Sequence, residues 1–445
     1  STEARMPPVD DVLKQRATST DFAEVGSTGL IQFGGQVKED FLRQLQGNQG
    51  HARYREMADN HPVIGGILQA IEMLFRSVDW TVEPSFADDQ RAVDEADFVA
   101  GCMNDMSHTW QDTVASALSM LTYGFSYHEI VYKRRAGHKD DGESSKHDDQ
   151  RIGWRKLPIR AQDTVWKWEI DGNGGINGMW QMDPYAVDGS KAYVFIPIEK
   201  ALLFRTTTKM NNPRGRSALR NAYVPWYYQR RIAEIEAVGI ERDLAGLPVA
   251  LVPPQLLSDN ATSAETAALT EIKRIVRNIR RDEQEGLVFP LAYDPDTGNL
   301  AYDLKLLTTG GRRQFDTSAI ITRYDARIAM SLLADFIMLG HDKVGTQALS
   351  VSKIELFLDS VKAWLAAIAD VFNAYAIPRL MRLNGVDESL HPHLRFSAPA
   401  NIDLGVLGDY VSKLTAAGAL MPDENMGEYL RSIAGLPAEE AEAVE

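Results

Sequence analysis

The first sustained run of regularly spaced apolar residues begins after His61, where Ile64, Ile67, Leu68, Ile71 and Leu74 recur at helical spacing. The text then changes to SVDWTVEP, which alternates like a strand and stops at Pro84. Further helical patterns cover Asp88 to Met106 and Thr109 to Thr122, each amphipathic enough to lie on a shared core. FSYHEIVYKRR reads as a strand. Between Ile152 and Thr208 the chain is rich in Trp, Tyr, Val and Ile and is punctuated by DGNGG and DPYAVDGS, which predicts antiparallel strands joined by tight turns. A long amphipathic helix follows, with Pro225 expected to kink or divide it, and then a short strand ending at Pro253 and Pro254. The remainder reads as helices from Thr262 to Arg281, Phe315 to Leu339 and Val351 to Leu383, with a β pair, GLVFPLAYDPDTGNLAYDLKLL, between the first two.

Polar text frames these elements. Residues 1 to 50 are glycine-dotted and read as an arm. The stretch GHKDDGESSKHDDQ, residues 137–150, has no apolar residue to bury and is expected to be a solvated, mobile loop. Residues 403–445 read as short helices ending in the acidic PAEEAEAVE.

A chain of 445 residues exceeds one compact core, so two or three packed regions are expected. The lone cysteine, Cys102, has no partner for a disulfide or a thiolate zinc site, which fits a reducing compartment. The N-terminal text lacks the apolar stretch of a secretory signal, and export is not expected. The most apolar long segment, Val361 to Ile377, is interrupted by Lys362 and Asp370 and falls short of the roughly 20 apolar residues a membrane span needs. A formal charge of −15, from 47 basic and 62 acidic residues, excludes a simple basic DNA binder. Charge is segregated along the chain: residues 214–281 hold 11 basic and 7 acidic residues, net +4, and residues 403–445 hold 2 and 9, net −7.

Motifs for catalysis are missing from the text. TTGGRR, residues 308–313, lacks the spacing of a phosphate-binding loop, and there is no G-x-G-x-x-G, G-x-S-x-G or H-E-x-x-H. No catalytic residue, cofactor or metal is predicted. Asp294, Asp296 and Gly298 have the spacing that opens a calcium loop, but Leu300 and Tyr302 fit a returning strand, so a hairpin is the stronger reading. A metal-dependent hydrolase using Asp294, Asp296 and Asp303 ranks last. His138 and His147 read as surface residues of the polar loop. Tyr223, Trp226, Tyr227 and Tyr228 read as core or subunit contact rather than a base-stacking platform. Arg274, Arg277 and Arg281 fall at i, i+3 and i+7 and share a helix face, beside Lys273 and Arg280. With Arg312 and Arg313 they are candidates for contact with DNA or with carboxylates of a neighbouring subunit.

The order of segments then carries a resemblance. HPVIGGILQAIEMLFRSVDWTVEP, LTYGFSYHEIVYK, PRGRSALRNAYVPWYYQRRIAEIEAVGIERDLAGLPVALVP and RYDARIAMSLLADFIMLG, in that series within residues 52–383, resemble the portal proteins of tailed bacteriophages, particularly the Mu-like branch. The resemblance implies an α+β, mainly helical portal fold whose copies form a ring of about twelve, through head-to-tail contacts. It implies an N-terminal arm (1–50), a wing of helices and antiparallel strands (51–261), a stem helix (262–285), a β clip (286–312) and a second stem helix (313–339). A tunnel loop (340–350), a long helix returning to the wing (351–402) and a small crown (403–445) complete the series. It implies a non-enzymatic DNA channel at one capsid vertex, made in the host cytoplasm and used for genome packaging, tail attachment and DNA ejection. The partners implied are double-stranded DNA, terminase, major capsid protein, and head-completion, adaptor and tail proteins, with no membrane. His341, Lys343 and Gln347 are the candidate channel-facing residues of the tunnel loop. The alternative reading is another phage head component, a minor capsid or adaptor protein.

Overall fold

The computed structural model describes residues 26–138, 144–183, 186, 192–245, 247–258, 261–278, 293, 303–307, 317–334 and 347–397. The chain divides into two compact units, with boundaries at Ala222/Tyr223 and Ile328/Ala329. The first unit opens with a short hairpin, β1 (Gln32–Phe33) and β2 (Gln36–Val37), then α1 (Gly47–Asn60), α2 (Pro62–Arg76), β3 (Trp80–Glu83), α3 (Gln90–Asn104), α4 (Trp110–Ala117) and α5 (Ser119–Tyr123). Its strands follow as β4 (Phe125–Glu129), β5 (Val131–Arg134), β6 (Ile152–Lys156), β7 (Ile159–Arg160), β8 (Val165–Ile170), β9 (Ile176–Met182), β10 (Tyr193–Pro197) and β11 (Ala201–Arg205). The second unit holds α6 (Tyr223–Ala245), β12 (Leu247–Leu251), α7 (Ser263–Asn278), β13 (Asp303–Leu307) and most of α8 (Thr317–Ser331). The first unit resumes with α9 (Gln347–Val371), one π turn (Phe372–Ala376), α10 (Ile377–Leu383) and β14 (His393–Phe396). The α+β class expected from the text is the class found.

Local chemistry sets the helix starts. His61 caps α2, its Nδ1 accepting from the Ile64 amide at 3.4 Å, and Pro62 occupies the first helical position, where no donor is needed. Ile64, Ile67, Ile71 and Phe75 are the face that α2 buries. Thr109 and Asp112 form a capping box at α4, with amide-to-side-chain bonds of 3.1 and 3.3 Å.

Two three-stranded antiparallel sheets, ordered β11-β4-β7 and β10-β9-β8, meet face to face. Phe125, Tyr127 and Leu203 of the first pack against Trp168, Met179 and Ile196 of the second, and the Tyr127 hydroxyl donates to the Ile196 carbonyl at 2.9 Å. Strand β4 is buried on its other face too, where Ser126 and His128 point. The His128 Nδ1–H donates to the Leu157 carbonyl at 2.9 Å, and Nε2 accepts from the Ser126 hydroxyl at 2.7 Å. Burial pushes the His128 pKa down from 6.5 to about 4, so the ring is neutral in the fold. Between those two values the unfolded chain binds the extra proton, and stability falls as the pH drops through that window. A loss of about 2 kcal/mol is expected between about pH 7.5 and about pH 5, read from urea unfolding. His128→Gln should flatten that slope; an unchanged slope would assign it to other groups.

The longest apolar helix is interrupted for a reason. Pro378 has no N–H for the carbonyl four residues back and its ring crowds that carbonyl, and the π turn immediately before it absorbs the misfit. The turn sets Phe372 at ring-centroid distances of 4.8 Å from Trp110, 5.7 Å from Phe204 and 6.3 Å from Trp154. Its next residue, Asn373, exchanges two bonds with the Leu394 backbone, at 2.7 and 3.0 Å, and so extends the edge of β14. Strand β14 itself pairs antiparallel with β3, joining residues more than 300 positions apart.

Two sequence expectations change, and one strand gains a partner the text did not show. The 137–150 segment was expected to be solvated because it has nothing apolar to bury, yet its described part is held by a buried polar network. Lys133 and Asp105 form an ion pair at 3.0 Å with both side chains under 5 % exposed. The Lys133 ammonium also donates to the Asp105 and Ser144 carbonyls, while the Asp105 carboxylate accepts from the Ser145 hydroxyl at 2.6 Å and the Lys146 amide at 2.8 Å. Burial acts to raise the Asp105 pKa, but these donors outweigh it and hold the carboxyl below its ordinary value. Pro225 does not kink a helix: α6 begins two residues before it, so the ring lies in the first turn, and the preceding residues Ala218–Arg220 form a separate 3₁₀ turn. Strand β13, the returning half of the β pair expected at 286–308, pairs on one edge antiparallel with β12, Leu251 opposite Asp303 and Leu247 opposite Leu307. Residues 286–292 and 294–302 lie outside the described residues, as does the 403–445 segment.

In the second unit, Gln229 of α6 donates to Asp325 of α8 at 2.9 Å, and Thr317 bonds to Glu236. Among the described residues no helix is long and apolar enough to cross a membrane.

Candidate functional site

The predicted basic face begins on α7. Thr262 and Glu265 cap this helix reciprocally, the Glu265 carboxylate accepting from the Thr262 amide at 2.7 Å. Arg274 is exposed and pairs along the helix with Glu271, its Nε donating to the Glu271 carboxylate at 2.9 Å. That bond raises the Arg274 pKa and lowers that of Glu271. One of the three arginines expected on this face is therefore answered within its own helix, and the pair is screened by solvent. Arg277 lies on the same helix one turn further on. Arg281, Arg312, Arg313, His341 and Lys343 lie outside the described residues, and Gln347 is the first residue of α9.

The remaining candidates resolve as follows. Tyr223 and Trp226 are buried, as the packing reading expects, whereas Tyr227 and Tyr228 are exposed. Cys102 is fully buried, burial raises its pKa, and Arg135 donates to its sulfur at 3.4 Å, so the thiol is shielded from reaction. Among the described residues no group of three His, Cys, Asp or Glu side chains is placed to hold a metal ion. Asp294 and Asp296 lie outside the described residues, and Asp303 is a strand residue of β13.

Two of the text segments that carried the resemblance meet in space. Gly124, at the start of FSYHE, and Gly215, in PRGRS, both take left-handed backbone angles, with φ of 97° and 54°. A Cβ on Gly124 would lie 2.4 Å from the Arg214 carbonyl, and one on Gly215 would lie 2.1 Å from the Gly124 carbonyl. The two backbones can touch only because both residues are glycine. The Thr206 amide donates to the Gly124 carbonyl at 3.1 Å and the Ser217 hydroxyl donates to that of Thr122, which pins the PRGRS turn on the α5–β4 junction. Gly124→Ala is expected to cost about 2 kcal/mol or more, seen as a lowered unfolding midpoint; an unchanged midpoint would mean the two backbones separate freely.

Sequence reasoning did not find the outer face of β8-β9-β10. Trp166, Met182, Tyr193 and Phe195 are exposed there, with Trp166 and Tyr193 4.3 Å apart and Lys167 over both Trp166 and Trp180. Contiguous exposed apolar surface of this kind marks contact with another macromolecule. The signal in the text was the Trp and Tyr content of residues 165–195, which the core alone does not use up.

A family model described as the portal protein of Mu bacteriophage matches residues 51–431, which take in both compact units. No curated protein matches the chain. Among solved structures, a chain from the neck of a native gene transfer agent particle, described as computed with C12 symmetry, is 13% identical at a TM-score of 0.49 and covers 88% of this chain and 95% of that one. A chain from the virion of a native gene transfer agent particle is 13% identical at a TM-score of 0.48, covering 87% and 93%. An HK97-family phage portal protein from Corynebacterium diphtheriae is 13% identical at a TM-score of 0.39, covering 80% and 96%. The family match spans most of the sequence, and by it the chain belongs to the Mu-type bacteriophage portal proteins.

Proposed function

We propose that copies of this portal protein assemble head-to-tail into a ring of about twelve at one capsid vertex, where double-stranded DNA passes during packaging and ejection. The observation that carries this reading is the family match across residues 51–431. The exposed aromatic face of β8-β9-β10 supports it, because a heterologous interface needs apolar surface that a lone subunit leaves uncovered. The charge of −15 also supports it: a duplex must slide, and dense phosphate binding would hold it. In this reading α7 and α8 are the stem helices, the segment between them forms the clip that meets terminase and then adaptor and tail proteins, and residues 340–350 face the DNA. In this reading the chain is a passive conduit, and the energy for DNA movement comes from its partner motor.

A phage deleted for this chain should accumulate heads without DNA, and supplying the chain in trans should restore packaging. Full heads made without it would overturn the reading. Lys343→Glu should leave rings intact and lower the amount of DNA packaged or retained; unchanged packaged DNA would remove the tunnel-loop assignment. Another head role, as minor capsid or adaptor protein, would instead leave DNA-filled heads without tails.

A further inference from the structure

A cavity of about 270 Å³ opens in the first unit between the N-terminal end of α1 and the PRGRS turn. Its lining includes four cationic side chains, Lys209, Arg214, Arg216 and Arg220, against two carboxylates, Glu39 and Asp40. A local excess of positive charge is unexpected in a chain with a net charge of −15.

The carboxylates are already engaged. Asp40 is gripped by both Nε and Nη2 of Arg220, and Glu39 accepts from the Ile31 amide. Arg214 has no carboxylate partner among the described residues: its Nη2 donates to the Gly47 carbonyl at 2.9 Å and to Nε2 of His51, and its remaining guanidinium donors have no protein acceptor. Burial pulls its pKa down to about 10, which still leaves it cationic at neutral pH. His51 cannot balance it, since accepting from Arg214 keeps the ring neutral, and burial and the Arg214 charge hold its pKa well below 6.5.

A second group points to a ligand independently. Tyr54 is only 5 % exposed and lines the cavity, yet its hydroxyl has no hydrogen-bond partner among the described residues. Burial raises its pKa, so the phenol keeps its proton and remains a donor. A half-buried cation without an anion and an O–H that opens on the cavity without a protein acceptor are both met by one occupant with oxygen acceptors and negative charge. Helix α1 starts at the same cavity, and Gln46 gives it no side-chain cap, which adds the favourable end of a helix dipole.

We propose that this cavity binds a single oxyanion, a phosphate or carboxylate group, held by Arg214 and Tyr54 with Arg216 and Lys209 at the rim. Two sources supply such a group: a free ion, or an acidic side chain from a second copy of the chain. The chemistry of recognition is the same for both.

Thermal unfolding of the full chain with inorganic phosphate, against sodium chloride of equal ionic strength, tests it. Phosphate also stabilises proteins by exclusion from their surface, but that part is common to wild type and variants. The wild type should show an extra, saturable rise in Tm, and Arg214→Gln should weaken the apparent affinity at least about tenfold. Should Arg214→Gln fail to fold, Tyr54→Phe, which keeps the packing, and Arg216→Ala, at an exposed position, should each weaken it about threefold or more. A rise at dilutions where the chain is monomeric and also in the assembled ring identifies a free ion as the occupant. A rise confined to the monomer identifies a carboxylate of the neighbouring copy, already in place in the ring. An equal response in wild type and in all three variants, in both states, overturns the proposal.

Discussion

Phe372→Ala should lower the stability of the first unit by about 4 kcal/mol, because it empties a site that three elements share. Phe372 is 1 % exposed and packs against Trp110 of α4, Phe204 of β11 and Trp154 of β6. Removing its ring costs the transfer energy of a large side chain, the cavity left behind, and three aromatic contacts of about 0.5–1.5 kcal/mol each, which overlap with the first two. Phe372→Leu keeps most of the volume and should cost roughly 1.5 kcal/mol. Urea unfolding followed by tryptophan fluorescence suits the measurement, since seven of the eight tryptophans belong to the first unit and only Trp226 does not. A loss below about 1 kcal/mol for the alanine variant would mean that the surrounding elements collapse into the gap and that the π turn has no special packing duty.

Asp105→Ala should be comparably severe, at about 3–5 kcal/mol, for a different reason. The Lys133 ammonium uses its three donors on the Asp105 carboxylate, the Asp105 carbonyl and the Ser144 carbonyl. Taking away the carboxylate leaves a buried cation with two neutral acceptors and frees the Ser145 hydroxyl and the Lys146 amide. Lys133→Met alone should cost less, and the double variant Asp105→Ala with Lys133→Met should be more stable than Asp105→Ala alone. Additive losses in that cycle would show that the two groups act separately. The same variants should increase proteolysis in the polar 137–150 hairpin loop, because the network is what ties it to α3 and β5.

These two sites also mark the limit of what the text discloses. Helix α2 was legible because Ile64, Ile67 and Ile71 repeat with the period of its buried face and His61 and Pro62 punctuate its start. Strand β3 was legible as a strand, but its partner β14 was not, since an alternating pattern fixes the face and says nothing of which distant segment completes the ladder. The pairing of β12 with β13 escaped for the same reason. The polar loop misled because its anchoring is ionic: Asp105 and Lys133 are 28 positions apart and carry no local period. Pro225 was visible as a breaker and Pro378 was read through as part of one helix, and only the structure distinguishes a proline that starts a helix from one preceded by a π turn.

Of the candidate site, the series of segments was legible and the contacts were not. Gly124 and Gly215 stand in the segments that carried the family resemblance, and their backbone contact explains why glycine is needed at both places. The basic face on α7 was legible by spacing, though not the answering Glu271 that shares its helix. Arg214 drew no notice in the text because a single arginine in a turn is ordinary; its lack of a counter-charge is a property of the fold.

The central claim is a ring. Purified full-length protein, imaged in top view by negative-stain electron microscopy and weighed by mass photometry, measures it directly. Annular particles with a central opening and a mass near twelve copies of the 49.5 kDa chain are the expected result. Particles without a central opening, with the chain remaining a monomer at every concentration up to tens of micromolar, would contradict it.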